Sequence, residues 1–448
     1  MAFEQTVSVQ ESLRRIHDLQ PELNAAVTVI DDAPETGIPV ILKDNISTKG
    51  SRTTASSKIL DNYVPVYDAT IVTKLKEAGF TPVAKASMDE LGMGGTNRNA
   101  ATGPVHNAWD HDRISGGSSG GSAVLAARQA APLAIGSDTG DSVRKPASYN
   151  GVIGVKPTYG RISRYGIIPY ASSLDHVGYF TTTVRDAAAA LEILAGRDDH
   201  DMTSSLEPVG HYEAELDPSL EGKTIAVFDT VADAVQDPVI RQAFADLVKK
   251  MEAAGAKIVH VSMPEQLMNL IAPVYKTIAN SEAAANHSNL DGIRFGVRKP
   301  GESVEDVMTA SRTAGFSSYV RARFVIGSYS LFEENQDRLF RKAQKIRRLI
   351  SDAYAQMFDG VDAVICPAAP TVAPLLEESS DVRFGQDEFV EEHMQLANFT
   401  GYPSMVLPMG RENGLPFAVE IAAKPFAEQM MFDVAAGMEE ILEETSHE

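Results

Sequence analysis

Two glycine- and serine-dense loops constrain this chain more than any other feature. Ser115-Gly116-Gly117-Ser118-Ser119-Gly120-Gly121-Ser122 is followed, after a short apolar stretch, by Gly136-Ser137-Asp138-Thr139-Gly140-Asp141-Ser142-Val143-Arg144. A Gly/Ser run alone behaves as a flexible linker. Here Ala123-Val124-Leu125-Ala126-Ala127 and Pro132-Leu133-Ala134-Ile135 follow at once, and they predict a short helix and a buried strand. A phosphate cradle would need a Lys and a Ser or Thr to close its glycines, and Gly121-Ser122-Ala123 supplies no Lys. Gly116-Gly117-Ser118-Ser119-Gly120 formally matches the G-x-S-x-G nucleophile elbow, which must follow a strand, and residues 107–113 do not read as one. His176 and His287 could serve an elbow serine as base, but neither sits in a glycine-marked turn after a strand, so that reading stays open without a base in place.

The surrounding pattern alternates strands and helices, which argues an α/β sheet. Val9, Leu13, Ile16 and Leu19 predict a helix over 8–20, residues 37–44 a strand ending at Lys43, and residues 69–79 a helix closed by Gly79. Residues 224–228, 238–254 and 257–261 read as a βαβ unit, and 315–350 as largely helical and rich in Arg and Lys. That basic surface is read as a solvated face balanced by Glu333, Glu334 and Asp337. Late strands are expected at 363–366, 404–407 and 417–421, a closing helix at 426–442, and an acidic surface connection at 377–392. No repeat or linker interrupts the chain, so one domain is expected over 1–448. Its parts are a core motif at 37–180, a helical and βαβ cap-like part at about 190–350, and C-terminal core strands and helix at 360–445.

Composition narrows the function classes. A hydrophobic fraction of 44% over 448 residues can bury a large core, and a net charge of −21 repels phosphate backbones, so direct nucleic-acid binding is not expected. The lone Cys366 sits in an apolar run; it cannot form an internal disulfide or supply a zinc cluster, and reads as a small buried hydrophobe rather than a catalytic thiol. The N-terminus carries Glu4 and Glu11 without a signal-peptide core, and no window reaches the ~18 apolar residues of a membrane span, so a cytoplasmic enzyme without metal is expected.

A serine hydroxyl is a weak nucleophile until a base takes its proton. Lys43 ends a very apolar strand, where desolvation lowers an ammonium pKa and leaves a neutral amine able to accept that proton. The same residue could equally snorkel to solvent, and the residues alone leave both open.

The two loops, with Gly151-Val152-Ile153-Gly154-Val155-Lys156-Pro157-Thr158 after them, resemble the amidase signature family in order and spacing. The likeness extends upstream to Gly37-Ile38-Pro39-Val40-Ile41-Leu42-Lys43-Asp44-Asn45 and downstream to Gly401-Tyr402-Pro403 and Gly414-Leu415-Pro416. Within the family, Lys85-Ala86-Ser87-Met88-Asp89-Glu90, Arg161-Ile162-Ser163-Arg164-Tyr165-Gly166 and Asp291-Gly292-Ile293-Arg294-Phe295-Gly296 are similar to the glutaminase subunits of tRNA-dependent amidotransferases. The resemblance implies an amidase signature fold, a large mixed twisted sheet covered by helices on both faces. It also implies a Ser-cisSer-Lys triad, with Ser142 as nucleophile, Ser118 as the bridging serine on a cis peptide, and Lys43 as base. Backbone N–H groups of Thr139, Gly140, Asp141 and Ser142 would bind the oxyanion. For a glutamine substrate it implies Arg323, with Arg321 two residues away, for the α-carboxylate, Tyr275 in the same pocket, and Glu391 or Glu392 for the α-amino group. No cofactor is expected in this chain. ATP and Mg would belong to a partner, and B and C subunits of an amidotransferase serving protein biosynthesis are the expected partners.

Asp141 departs from the family pattern, where a second glycine is usual. A carboxylate beside the oxyanion loop opposes the charge that develops there, unless it points away or pairs with Arg144 or Lys145. It could instead meet a cationic amino group of the substrate. Three functions therefore stand side by side: the glutaminase subunit, a stand-alone amidase for another small amide, and a weakened paralogue that serves in assembly.

Overall fold

The computed structural model of the protein describes residue 3 and residues 7–379 and 389–446. Most of the acidic connection expected at 377–392 lies outside the described residues. Strands are β1 (Ala26–Val29), β2 (Ile38–Lys43), β3 (Phe80–Ala86), β4 (Leu133–Asp138), β5 (Ile153–Lys156), β6 (His176–Thr181), β7 (Thr224–Phe228), β8 (Lys257–Val261), β9 (Ala363–Pro367), β10 (Ser404–Glu412) and β11 (Leu415–Ala422). Among the described residues these form a mixed sheet in the order β1-β3-β2-β4-β6-β5-β10-β11-β9-β7-β8. The βαβ unit of 224–261 pairs in parallel with β9, so it extends the main sheet rather than standing apart from it.

Both faces of the sheet are covered, and alternation along β2 shows how. Val40 and Leu42 enter one core with α2 (Thr70–Glu77), α5 (Val184–Leu194) and the closing helix Glu428–Ser446, while Ile41 between them enters a second core. That second core holds α1 (Val9–Leu23), α3 (Gly120–Ala127) and α4 (Arg144–Asn150). Successive side chains of a strand point to opposite faces, and a strand buried on both reads as a continuous apolar run. Five of the six residues of β2 are buried for this reason, Lys43 among them.

Local signals place the elements around the two loops. Asn24 ends α1 in the left-handed conformation, as Asn tolerates. Asp237 caps the helix Pro238–Ala253, whose Pro occupies the first turn. The basic stretch of 315–350 is broken into Ser318–Leu331, Glu333–Gln336 and Phe340–Gln356. Its outer charges are partly paired, Arg341 with Asp337 and Arg348 with Asp352, as a solvated face requires. Arg347 turns inward and donates to the carbonyl oxygens of Phe399 and Ser173.

Candidate active site

β2 and β4 are parallel neighbours, and their C-terminal ends open on the same edge of the sheet. β2 delivers Lys43 there, and β4 runs directly into the second glycine loop. The first loop leads into α3 and is tied back to β4, since Ser119 Oγ donates to Ser137 O at 3.0 Å. Ser119 N also donates to Ser142 O at 3.2 Å. Residues far apart in the sequence are thus joined through main-chain contacts.

Lys43 Nζ lies 2.7 Å from Ser118 Oγ, 2.9 Å from Ser137 Oγ and 3.2 Å from Ser137 O. The side chain is fully buried, and burial lowers its pKa to about 7 against the opposing pull of Asp89, Asp138 and Asp175. A lysine held this way is neutral over part of the physiological range and can take a proton. The snorkelling alternative is absent: the amine ends among hydroxyls inside the protein. The peptide bond between Gly117 and Ser118 is cis. A Cβ on Gly117 would fall 2.0 Å from Asp89 Oδ2 and 2.7 Å from Asn97 N, so only glycine fits there.

The second loop presents its own donors. Among the described residues no group accepts a hydrogen bond from the N–H of Thr139, Gly140, Asp141 or Ser142. Unpaired donors beside a buried hydroxyl suit an oxyanion. The loop is held by Arg144, which is fully buried and donates to Asp138 Oδ1 (2.9 Å), Gly140 O (2.8 Å), Asn398 Oδ1 (2.7 Å) and Glu420 Oε1 (2.9 Å). Burial alone would raise the Asp138 and Glu420 carboxyls. The Arg144 charge holds Asp138 well below the carboxylate range, and the His393 contact together with Arg144 holds Glu420 at about 2. Thr139 Oγ1 donates to Asp175 Oδ1 at 2.7 Å, which fixes the other end of the loop.

Asp141 does not aim freely into the site. Its Oδ2 lies 3.2 Å from Lys145 Nζ, and their side chains are 16% and 10% exposed. Burial raises the Asp141 pKa while Lys145 opposes that rise. Lys145 Nζ also donates to the Glu391 carbonyl oxygen, so Asp141 and the segment carrying Glu391 converge on one ammonium. Tyr275 lies across the loop: a Cβ on Gly140 would be 3.0 Å from its ring. Burial and the neighbouring Tyr170 and Asp141 raise the Tyr275 hydroxyl pKa, opposed by Arg323. Arg323 faces Asn280 Oδ1 at 3.4 Å and stacks on the Tyr319 ring at 4.4 Å, and its Nε is buried without an acceptor among the described residues. Arg321, two residues earlier on the same helix, is exposed. A cavity of about 210 Å³ borders Ser137, Thr139, Tyr170 and Asp175.

Neither His176, which lines this cavity, nor His287 is joined to a site serine. His176 pairs across from Asp138 in the sheet with Nδ1 on the Leu174 carbonyl, and His287 ends the helix Ile271–Asn286; among the described residues no hydrogen bond joins either to Ser118 or Ser142. The elbow reading therefore has no base. Sequence reasoning missed Ser137, Asp138, Asn280, Asn398 and Glu420 as parts of this centre. The signal available for Asp138 and Arg144 was their place inside a loop dense in small residues, where buried charges must pair.

A family model described as amidase matches residues 7–432. The chain belongs to the amidase signature family. Its sequence relatives include the A subunit of glutamyl-tRNA(Gln) amidotransferase from Lacticaseibacillus paracasei, 39% identical over 96% of this chain and 92% of the relative. The protein of the same description from Persephonella marina is 40% identical over 92% of this chain and 85% of the relative. Among solved structures, the A subunit of glutamyl-tRNA(Gln) amidotransferase from Thermotoga maritima matches with a TM-score of 0.80 and 36% identity, covering 96% of this chain and 90% of that one. The peptide amidase of Stenotrophomonas maltophilia matches with 0.81 and 28%, covering 97% and 93%. An amidase-type enzyme most like the amidotransferase A subunits is the consequence, and among the described residues no helix is long and apolar enough to cross a membrane.

Proposed function

We propose that this chain hydrolyses the side-chain amide of glutamine and serves as the ammonia-producing subunit of a tRNA-dependent amidotransferase, with B and C partners that hold tRNA and ATP. The observation that carries the reading is the buried contact of Lys43 Nζ with Ser118 Oγ at 2.7 Å, beside a loop of unpaired N–H groups that bears Ser142. Neutral Lys43 takes the Ser118 proton as Ser118 takes that of Ser142, and Ser142 Oγ bonds to the amide carbon. The carbonyl oxygen becomes an oxyanion facing the N–H groups of residues 139–142. Collapse breaks the C–N bond, and the relay returns the proton to the departing ammonia. Water then attacks the acyl ester and regenerates Ser142.

Arg323, with an unused buried Nε, suits the substrate carboxylate through charge-assisted hydrogen bonds, with Tyr275, packed on Gly140, beside it. Glu391 supplies negative charge for an α-amino group. A second reading, a stand-alone amidase for a cationic amide, is favoured by the Asp141 carboxylate beside the oxyanion loop. The test is ammonia release from glutamine and from a panel of simple amides by the purified chain, alone and with its B and C partners. Glutamine turnover that rises with the partners and vanishes in Ser142→Ala supports the first reading. Turnover of other amides in preference to glutamine, indifferent to partners, favours the second. Unchanged turnover in folded Ser142→Ala refutes both.

A further inference from the structure

Cys366 in β9 and Glu420 in β11 are directly opposed partners of an antiparallel pair, so their side chains leave the sheet on the same face. His393, just beyond the helix Phe389–Glu392, is laid over them. The Cys366 Sγ, a His393 ring nitrogen and a Glu420 carboxylate oxygen all lie within 4.8 Å of one another, and all three residues are buried. An apolar surrounding, the simplest expectation for a strand cysteine, is not what the fold provides.

The hydrogen bonds around the cluster orient each group inward. His393 Nδ1 is 2.8 Å from Val390 O, which places the ring proton on Nδ1 and leaves the Nε2 lone pair free for the cluster. Nε2 lies 3.1 Å from Glu420 Oε2, an approach that a ring proton or a metal ion could bridge. Glu420 Oε1 is already taken by Arg144 Nη1 at 2.9 Å and Ser404 Oγ at 2.5 Å, so Oε2 is the oxygen presented. Cys366 Sγ lies 3.8 Å from that same Oε2. A histidine fixed by a backbone carbonyl and a carboxylate fixed by an arginine are the outer contacts that orient metal ligands.

We propose that Cys366 Sγ, His393 Nε2 and Glu420 Oε2 bind a thiophilic divalent cation, with Zn²⁺ the ion that fits, and that the fourth position is left to water. Tetrahedral zinc with bonds of about 2.0–2.3 Å sets its ligand atoms roughly 3.3–3.6 Å apart; the Nε2–Oε2 and Sγ–Oε2 separations of 3.1 and 3.8 Å need shifts of a few tenths of an ångström, and the sulfur and ring nitrogen, within 4.8 Å of each other, would draw together on binding. Binding exchanges the thiol proton for the metal: the S–H bond breaks, the proton leaves to solvent, and the thiolate sulfur bonds to the ion. Thiolate, carboxylate, neutral imidazole and a dication sum to zero charge, which suits a buried position. The ion would pin residues 389–398, which carry Glu391 and Asn398, to β9 and β11. Its role is structural support for the loop held by Arg144, and it takes no part in amide cleavage.

The full chain, expressed in zinc- or cobalt-supplemented medium and freed of loose metal by dialysis, tests this. A single tightly held equivalent is expected, with a thiolate-to-cobalt charge-transfer band for the cobalt form and a higher Tm for the zinc-loaded than for the chelator-treated protein. Cys366→Ser and His393→Gln should remain folded by circular dichroism and gel filtration, lose the band, and lose the zinc-dependent Tm shift. Cobalt bound without a thiolate band, or equal metal content in wild type and Cys366→Ser, overturns the proposal. So does nitrogen NMR showing His393 protonated at both nitrogens in metal-free protein whose Tm zinc does not change.

Discussion

Replacing Lys145 with methionine isolates the electrostatic problem posed by Asp141. The carboxylate lies one residue from Ser142, and Lys145 Nζ, 3.2 Å from Oδ2, is its compensating charge. At an effective dielectric of ~20, a carboxylate ~5 Å from a developing oxyanion costs roughly 3 kcal/mol, and an ammonium ~8 Å away returns roughly 2 kcal/mol. Losing the ammonium alone should therefore raise the barrier by about 2 kcal/mol, or lower kcat by about 30-fold. Lys145 also donates to the Glu391 carbonyl, so KM should change as well, and kcat is the readout that separates the two effects. The double variant Asp141→Asn with Lys145→Met removes both terms and should restore all of the lost kcat, exceeding wild type by about fivefold for the roughly 1 kcal/mol net penalty removed. Steady-state ammonia release, measured on variants with wild-type circular dichroism and elution volume, decides it. A folded Lys145→Met with unchanged kcat, or a double variant no faster than the single, would refute this account of Asp141.

Other perturbations probe separate parts of the centre. Lys43 must be neutral to act as base, and its pKa is lowered to about 7, so kcat/KM should rise as pH increases through about 7 and level off above it; a profile flat from pH 6 to 9 contradicts that role. Arg323→Met should raise KM for glutamine by about 10- to 100-fold, the loss of a charge-assisted bond, while Arg321→Met, on the exposed side, should change it little. Gly117→Ala forces a methyl to within 2.0 Å of the Asp89 carboxylate and should destabilise by about 3 kcal/mol, read as a lower denaturant midpoint; an unchanged midpoint would show that this loop yields.

Much of the architecture was legible in the residues because it rests on local chemistry. The apolar run of β2, the helix from Pro238 and the strands expected at 363–366, 404–407 and 417–421 follow from periodicity and turn signals that neighbouring residues carry, although β10 runs on to Glu412. The paired serine loops declared themselves by composition, since loops flanked by regular elements need glycine only where backbone must approach closely. Lys43 was ambiguous for a physical reason: whether a strand-end lysine is desolvated depends on what covers it, and the cover comes from residues 118 and 137. Asp141 was ambiguous likewise, because a carboxylate's effect depends on its direction, and only the turn into α4 sets it against Lys145.

The amino-acid sequence alone determined that this is a mixed α/β protein whose two serine loops and the strand ending at Lys43 resemble one family motif. Tertiary structure alone decided how charges meet. Arg144 joins Asp138, Glu420 and Asn398 from separate segments, Arg323 packs on Tyr319 and Asn280 while Arg321 is exposed, and Cys366 finds His393 and Glu420 beside it. Periodicity reports which face a side chain leaves from, whereas electrostatic pairing depends on distances across strands and helices that no local pattern encodes.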